Sequence, residues 1–200
     1  MIDRQLRNTL MLTHGGLMAF VWLVAVPMAV GASMYARKKN KTWGIKVHMV
    51  TMATAAFLPF TISALMAFYV AGSSNIYKPH SSIGTVLTFG AWIQVILGIT
   101  NHCIFRYRLK NDCLPSGRPW NNRVHIWFGK ILMVLALINI PLGMKVKRLS
   151  TTIFILYAIW ITLLAIMFIY LIWMKQEGIN MLNIKAETFD DDDSCERKKN

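Results

Sequence analysis

The stretch Thr9–Ala36, TLMLTHGGLMAFVWLVAVPMAVGASMYA, decides the fold, because it contains no Asp, Glu, Lys or Arg. A helix crosses the hydrocarbon of a bilayer in about 20 apolar residues, so this stretch reads as a membrane span. The reading extends outward along the chain. Val47–Tyr77, Pro79–Phe105 and Leu149–Met174 are equally free of charge, and Val124–Met144 carries one charged residue, Lys130. The fold class is therefore an all-α membrane protein with five transmembrane helices. The composition agrees: 55% of residues are hydrophobic and 16% charged, with a mean hydropathy of +0.43.

The formal net charge of +13 does not make this a nucleic-acid-binding chain, because the basic residues gather in the short loops between spans. Successive spans alternate direction. Calling the N-terminal side A, side B receives the loop with Arg37, Lys38, Lys39, Lys41 and Lys46 and the loop with Arg106, Arg108, Lys110, Arg118 and Arg123. The loops on side A carry Lys78, Lys145, Lys147 and Arg148. The excess on B predicts that B is cytoplasmic and that the N-terminus is extracytoplasmic, in a plasma membrane or endomembrane. The apolar run after MIDRQLRN is too long for the core of a cleavable signal. The tail, with Asp190–Asp193 followed by Glu196-Arg197-Lys198-Lys199, is charged without apolar periodicity and reads as disordered. Cys103, Cys113 and Cys195 form neither a disulfide framework nor a zinc pattern, and no C-x-x-C-H attaches a haem covalently.

The histidines carry the chemistry. His14, His48, His80 and His125 each stand near the N-terminal end of a different span, one in each of the first four. Because direction alternates, His14 and His80 share a depth near side A, and His48 and His125 share a depth near side B. Helical bundles build cofactor sites from side chains on facing helices. Two opposed imidazoles suit the two axial positions of haem iron, whereas zinc takes three or four protein ligands. Filling both axial positions leaves no vacancy for oxygen, so such a haem carries electrons. Two sites, one near each face, form a relay across the bilayer. His102 complicates side B, where depth alone leaves three candidates: His48, His102 and His125. Side A has only His14 and His80.

Several short pieces resemble the cytochrome b-561 / ferric reductase transmembrane family, in particular the form found beside extracellular DOMON domains. They are Thr13-His14-Gly15-Gly16-Leu17-Met18, Lys46-Val47-His48, Pro79-His80-Ser81-Ser82-Ile83-Gly84 and Asn122–Lys130, with Asn139 and Leu142-Gly143 at the end of the fourth span. The resemblance runs from about Leu10 to Met144. It implies two haem b groups, held by His14/His80 and His48/His125, and it leaves His102 outside the ligand set. It further implies an ascorbate-dependent transmembrane oxidoreductase, moving electrons from cytosolic ascorbate to an extracytoplasmic acceptor such as ferric iron or monodehydroascorbate. Lys46 matches a lysine that contacts ascorbate in some relatives. Lys130 stands where the family often has Arg, and with Arg123 it is a candidate contact for ascorbate or a haem propionate; snorkelling to side B is the alternative for Lys130. Gln94 reads as an interhelical hydrogen bonder.

The expected organisation is an N-terminal segment at 1–9, a four-helix haem-binding core at 10–144, a fifth transmembrane helix at 149–174 and a cytoplasmic tail at 175–200. The partners implied are membrane lipid, the donor and acceptor, an extracellular DOMON-type or other redox protein, and a second copy in a homodimer. Two other functions are to be weighed: a membrane anchor or relay for a separate redox protein, and a haem-free transporter using its histidines for protons or metals.

Overall fold

The structure is a computed structural model, described for residues 3–71, 78–113, 115 and 117–175. Most of the expected tail lies outside the described residues. Among the described residues, five helices are long and apolar enough to cross a membrane: α1 (Arg4–Lys38), α2 (Trp43–Ala71), α3 (Pro79–Lys110), α4 (Trp120–Val146) and α5 (Thr151–Trp173). They follow the five charge-poor stretches, and α1 begins ahead of the expected core, at Arg4.

The helices divide between two compact units. The described residues within 3–89 and 133–175 belong to the first, and those within 90–132 to the second. In the first unit α1 and α2 pack antiparallel. His14 meets Ser63, Trp22 meets Phe60 edge-on at 5.9 Å between ring centroids, and His48 meets Ala29. Val21, Ala25, Ala29 and Ala36 are buried along this seam. The hairpin closes on Gly44, where any Cβ would strike the Cβ of Ala36. Asn40 ends α1 at a φ of 51°. The Lys41 N–H donates to the Ala36 carbonyl at 2.8 Å and the Asn40 N–H to that of Arg37 at 3.3 Å, the paired bonds of a left-handed helix stop. In the second unit α3 and α4 pack antiparallel, with Gly90 against Leu132 and Asn101 beside Asn121. The alternation of span directions read from the sequence thus holds for α1 with α2 and, within the second unit, for α3 with α4.

Prolines explain where α5 sits. A proline inside a helix removes one N–H and frees the carbonyl four residues before it. In a bilayer that carbonyl needs another donor. Pro27 frees Leu23, and the Trp160 indole Nε1–H donates to the Leu23 carbonyl at 3.0 Å. Pro141 frees Leu137, and the Tyr157 hydroxyl donates to the Leu137 carbonyl at 2.6 Å. Both donors belong to α5, which runs parallel to α1, with Gly31 facing Met167 and Leu171 further along. Just before Pro27, α1 widens into a π-helical segment at Val21–Ala25; α2 does the same at Met52–Phe57, just before Pro59. Such segments are how a helix absorbs a residue that its ordinary ladder cannot accommodate. Trp160→Phe and Tyr157→Phe are each expected to lower stability by about 1 kcal/mol, the scale of an interhelical hydrogen bond in a membrane. Thermal unfolding in detergent checks this.

Candidate functional site

His14, on α1, and His80, at the start of α3, come together in the first unit. Their ring centroids are 6.3 Å apart and their planes are inclined at 76°. Each ring is held from behind. His14 Nδ1 donates to the Ser63 carbonyl at 3.0 Å and to Ser63 Oγ at 3.0 Å, and the Ser63 hydroxyl in turn donates to the His14 carbonyl at 3.1 Å. Ser63 is completely buried in α2. His80 Nδ1 donates to the Asn139 carbonyl at 3.1 Å and to its Oδ1 at 3.0 Å. Asn139 is the other buried polar residue among those described. Gly143, one turn further along α4, lets the His80 ring lie against the helix backbone. A Cβ there would sit 2.8 Å from His80 Cε1.

The chemistry of these contacts fixes the tautomer. A carbonyl can only accept, so Nδ1 of each ring carries the proton and Nε2 keeps its lone pair. This is how protein-held metal ligands are prepared: the second nitrogen is anchored to a carbonyl and the first is left to bind. The spacing fits as well. With metal–nitrogen bonds of about 2.0 Å and ring centres about 1.1 Å behind each nitrogen, two axial imidazoles place their centroids about 6.2 Å apart. Among the described residues no three His, Cys, Asp or Glu side chains gather as a metal site. Donors arriving in twos suit haem, whose macrocycle supplies the other four positions.

The remaining histidines differ in their surroundings. His48, on α2 in the first unit, donates from Nδ1 to the carbonyl of the fully buried Ala29 at 3.4 Å, a longer version of the same anchor. His125 lies on α4 in the second unit. Gly98 of α3 gives its ring room, since a Cβ there would lie 3.2 Å from His125 Cε1. Gln94 Nε2 donates to the His125 carbonyl at 2.8 Å, the interhelical role read from the sequence, and packs on Gly129. His102 Nδ1 is buried with no hydrogen-bond partner among the described residues, so its ring lacks the carbonyl anchor of His14, His48 and His80. Lys46 is exposed two residues before His48. Lys130 turns its Nζ over the Trp127 ring, 4.4 Å from the centroid. Arg123 and Lys130 both lie on the side of α4 away from His125, counting roughly 100° per residue.

Sequence reasoning missed Ser63. Its signal was present, as a small hydroxyl in the apolar run Ala56–Val70, which also holds Thr61 and Tyr69, but nothing in the run names its partner.

Membrane-length helices that bring two imidazoles together, each with one nitrogen anchored and one presented, fit an integral membrane haem protein. The family model for eukaryotic cytochrome b561 matches residues 12–151, and the chain belongs to that family: membrane proteins that bind b-type haem and transfer electrons across the bilayer. No curated protein and no solved structure matches the chain.

Proposed function

We propose that the chain carries two haem b groups, with His14 and His80 as axial ligands on side A and His48 and His125 on side B. Electrons pass from cytosolic ascorbate through the side B site to the side A site, and then to an extracytoplasmic acceptor such as ferric iron or monodehydroascorbate. The observation that carries this reading is the His14–His80 geometry: two carbonyl-anchored imidazoles at the spacing of paired axial ligands. The anchored His48 ring and the cleared space at His125 support the second site from each residue's own surroundings. Their pairing rests on span alternation and on the family resemblance.

Bound haem supplies a one-electron couple. The chain's own residues set what that couple can do. His14 and His80, each anchored through Nδ1, would hold a haem iron between them, which would favour electron passage over oxygen binding. Lys46, exposed at the side B end of α2, offers a cation to an acidic reductant. On side A the acceptor is a soluble oxidant or an extracellular redox protein, of the DOMON type or another.

The deciding experiment is haem extraction with spectra on purified protein. Two haems per chain, with a low-spin b-type band bleached and restored by oxidant and ascorbate, is the expected result. A single haem would remove the relay, and none would favour a transporter. Lys46→Ala should slow ascorbate reduction roughly ten-fold while leaving dithionite reduction and haem content intact; an unchanged ascorbate rate would take Lys46 out of the donor site.

A further inference from the structure

α4 has two faces of opposite character. Counting roughly 100° per residue, His125, Gly129 and Leu132 fall within about 40° of one line, and Trp120, Arg123, Trp127 and Lys130 fall within about 40° of the opposite line. The first face is in the protein, with Leu132 buried. The second is open: Trp120 is 78% and Trp127 63% exposed, and Arg123 and Lys130 are exposed beside them. The stripe therefore alternates aromatic, cation, aromatic, cation at spacings of three, four and three residues. α4 contains no Asp or Glu to neutralise it.

Depth makes an anion necessary. Lys130 lies about 15 Å along the helix from Trp120, which takes its backbone below the headgroup layer. Helical side chains lean toward the N-terminus of their helix, and the Lys130 ammonium does so, reaching back over Trp127. An ammonium facing lipid at that level is costly unless a counter-charge meets it. Arg123 is braced by its Nε, which donates to the Arg118 carbonyl at 3.2 Å, and its terminal N–H groups remain for a ligand. Indole rings prefer the boundary between headgroup and acyl chain. Arg and Lys on either side of Trp127 thus form a fork at the level of lipid phosphates.

We propose that the Trp120–Arg123–Trp127–Lys130 face of α4 is a docking site for the phosphate of an anionic phospholipid, in the leaflet where α4 begins. This does not rest on the haem assignment. The occupant is a lipid because Arg123 and the Lys130 ammonium, which reaches back over Trp127, converge on the interfacial layer where lipid phosphates lie, with an indole between them.

Native mass spectrometry of the delipidated full chain in detergent, titrated with phosphatidylglycerol or phosphatidylcholine, tests it. One phosphatidylglycerol per chain should be retained in preference to phosphatidylcholine. Arg123→Gln with Lys130→Gln should weaken its retention roughly 30-fold. Trp127→Leu, which keeps both charges, should weaken it about three-fold. Arg106→Gln with Arg108→Gln removes as much charge from the same loop region and should leave it unchanged. Helix content by circular dichroism checks folding of each variant, and the Trp127→Leu result stands by itself if the double variant does not fold. Equal retention of the two lipids, equal loss in the Arg106/Arg108 pair, or a change of oligomeric mass with lipid retention intact would overturn the proposal. The last of these would assign the face to a second copy of the chain.

Discussion

His14→Ala is expected to halve the haem content of the purified protein, leaving one b-type haem with an unaltered spectrum. The substitution removes one axial nitrogen and also the ring that holds Ser63. His80 alone cannot retain a haem with one face open to lipid or water. The surviving group is the one proposed at His48 and His125. His80→Ala should give the same spectrum as His14→Ala, and the two together should be no worse than either, since each already empties the same site. His102→Ala should keep both haems. Loss of both haems from His14→Ala would break the pairing, and a haem lost from His102→Ala would mean that the side B ligand is misassigned.

Gly143→Val should empty the same site while leaving both ligands and Asn139 in place. Any Cβ at Gly143 would come within 2.8 Å of His80 Cε1, closer than carbon atoms approach, and valine adds two methyl groups in a stiff rotamer. The imidazole must swing, breaking its bonds to Asn139 and tilting Nε2 from the axis toward His14. The packing cost is about 1–3 kcal/mol, small enough for the helices to fold. The spectroscopic result therefore separates ligand placement from fold. Gly31→Ala is the matched comparison: its Cβ would meet Met167 and Leu171 at ordinary contact distances of 3.5 and 3.6 Å, and haem content should not change. A Gly143→Val protein with full haem content would mean that the ring is free to move and that the anchor on Asn139 does not fix it.

Much of this was legible in the sequence, for a physical reason. Hydrophobic length and loop charge are local properties, so five spans and their alternation follow from neighbours along the chain. Alternation then converts four histidine positions into depths. Contacts across helices are not local. Ser63 lies 49 residues from His14 and Trp160 lies 137 residues from Leu23. A serine or an indole in an apolar span says that a partner exists without saying which. The π-helical segments fall between these cases: Pro27 and Pro59 announce a disturbed ladder, but whether the helix kinks, widens or borrows a donor depends on what packs beside it. Gln94 was readable as an interhelical bonder, and the structure supplied its acceptor, the His125 carbonyl.

The two prolines in α1 and α4 make α5 an exchange partner in a trade that can be run backwards. Pro27→Ala restores an N–H in α1 that can satisfy Leu23 from within its own helix, so Trp160 becomes replaceable in that background. Pro141 and Tyr157 stand in the same relation through Leu137. In chains of this family, each proline and its aromatic donor should therefore be gained or lost together, and a variant carrying either proline without its donor should be the less stable protein.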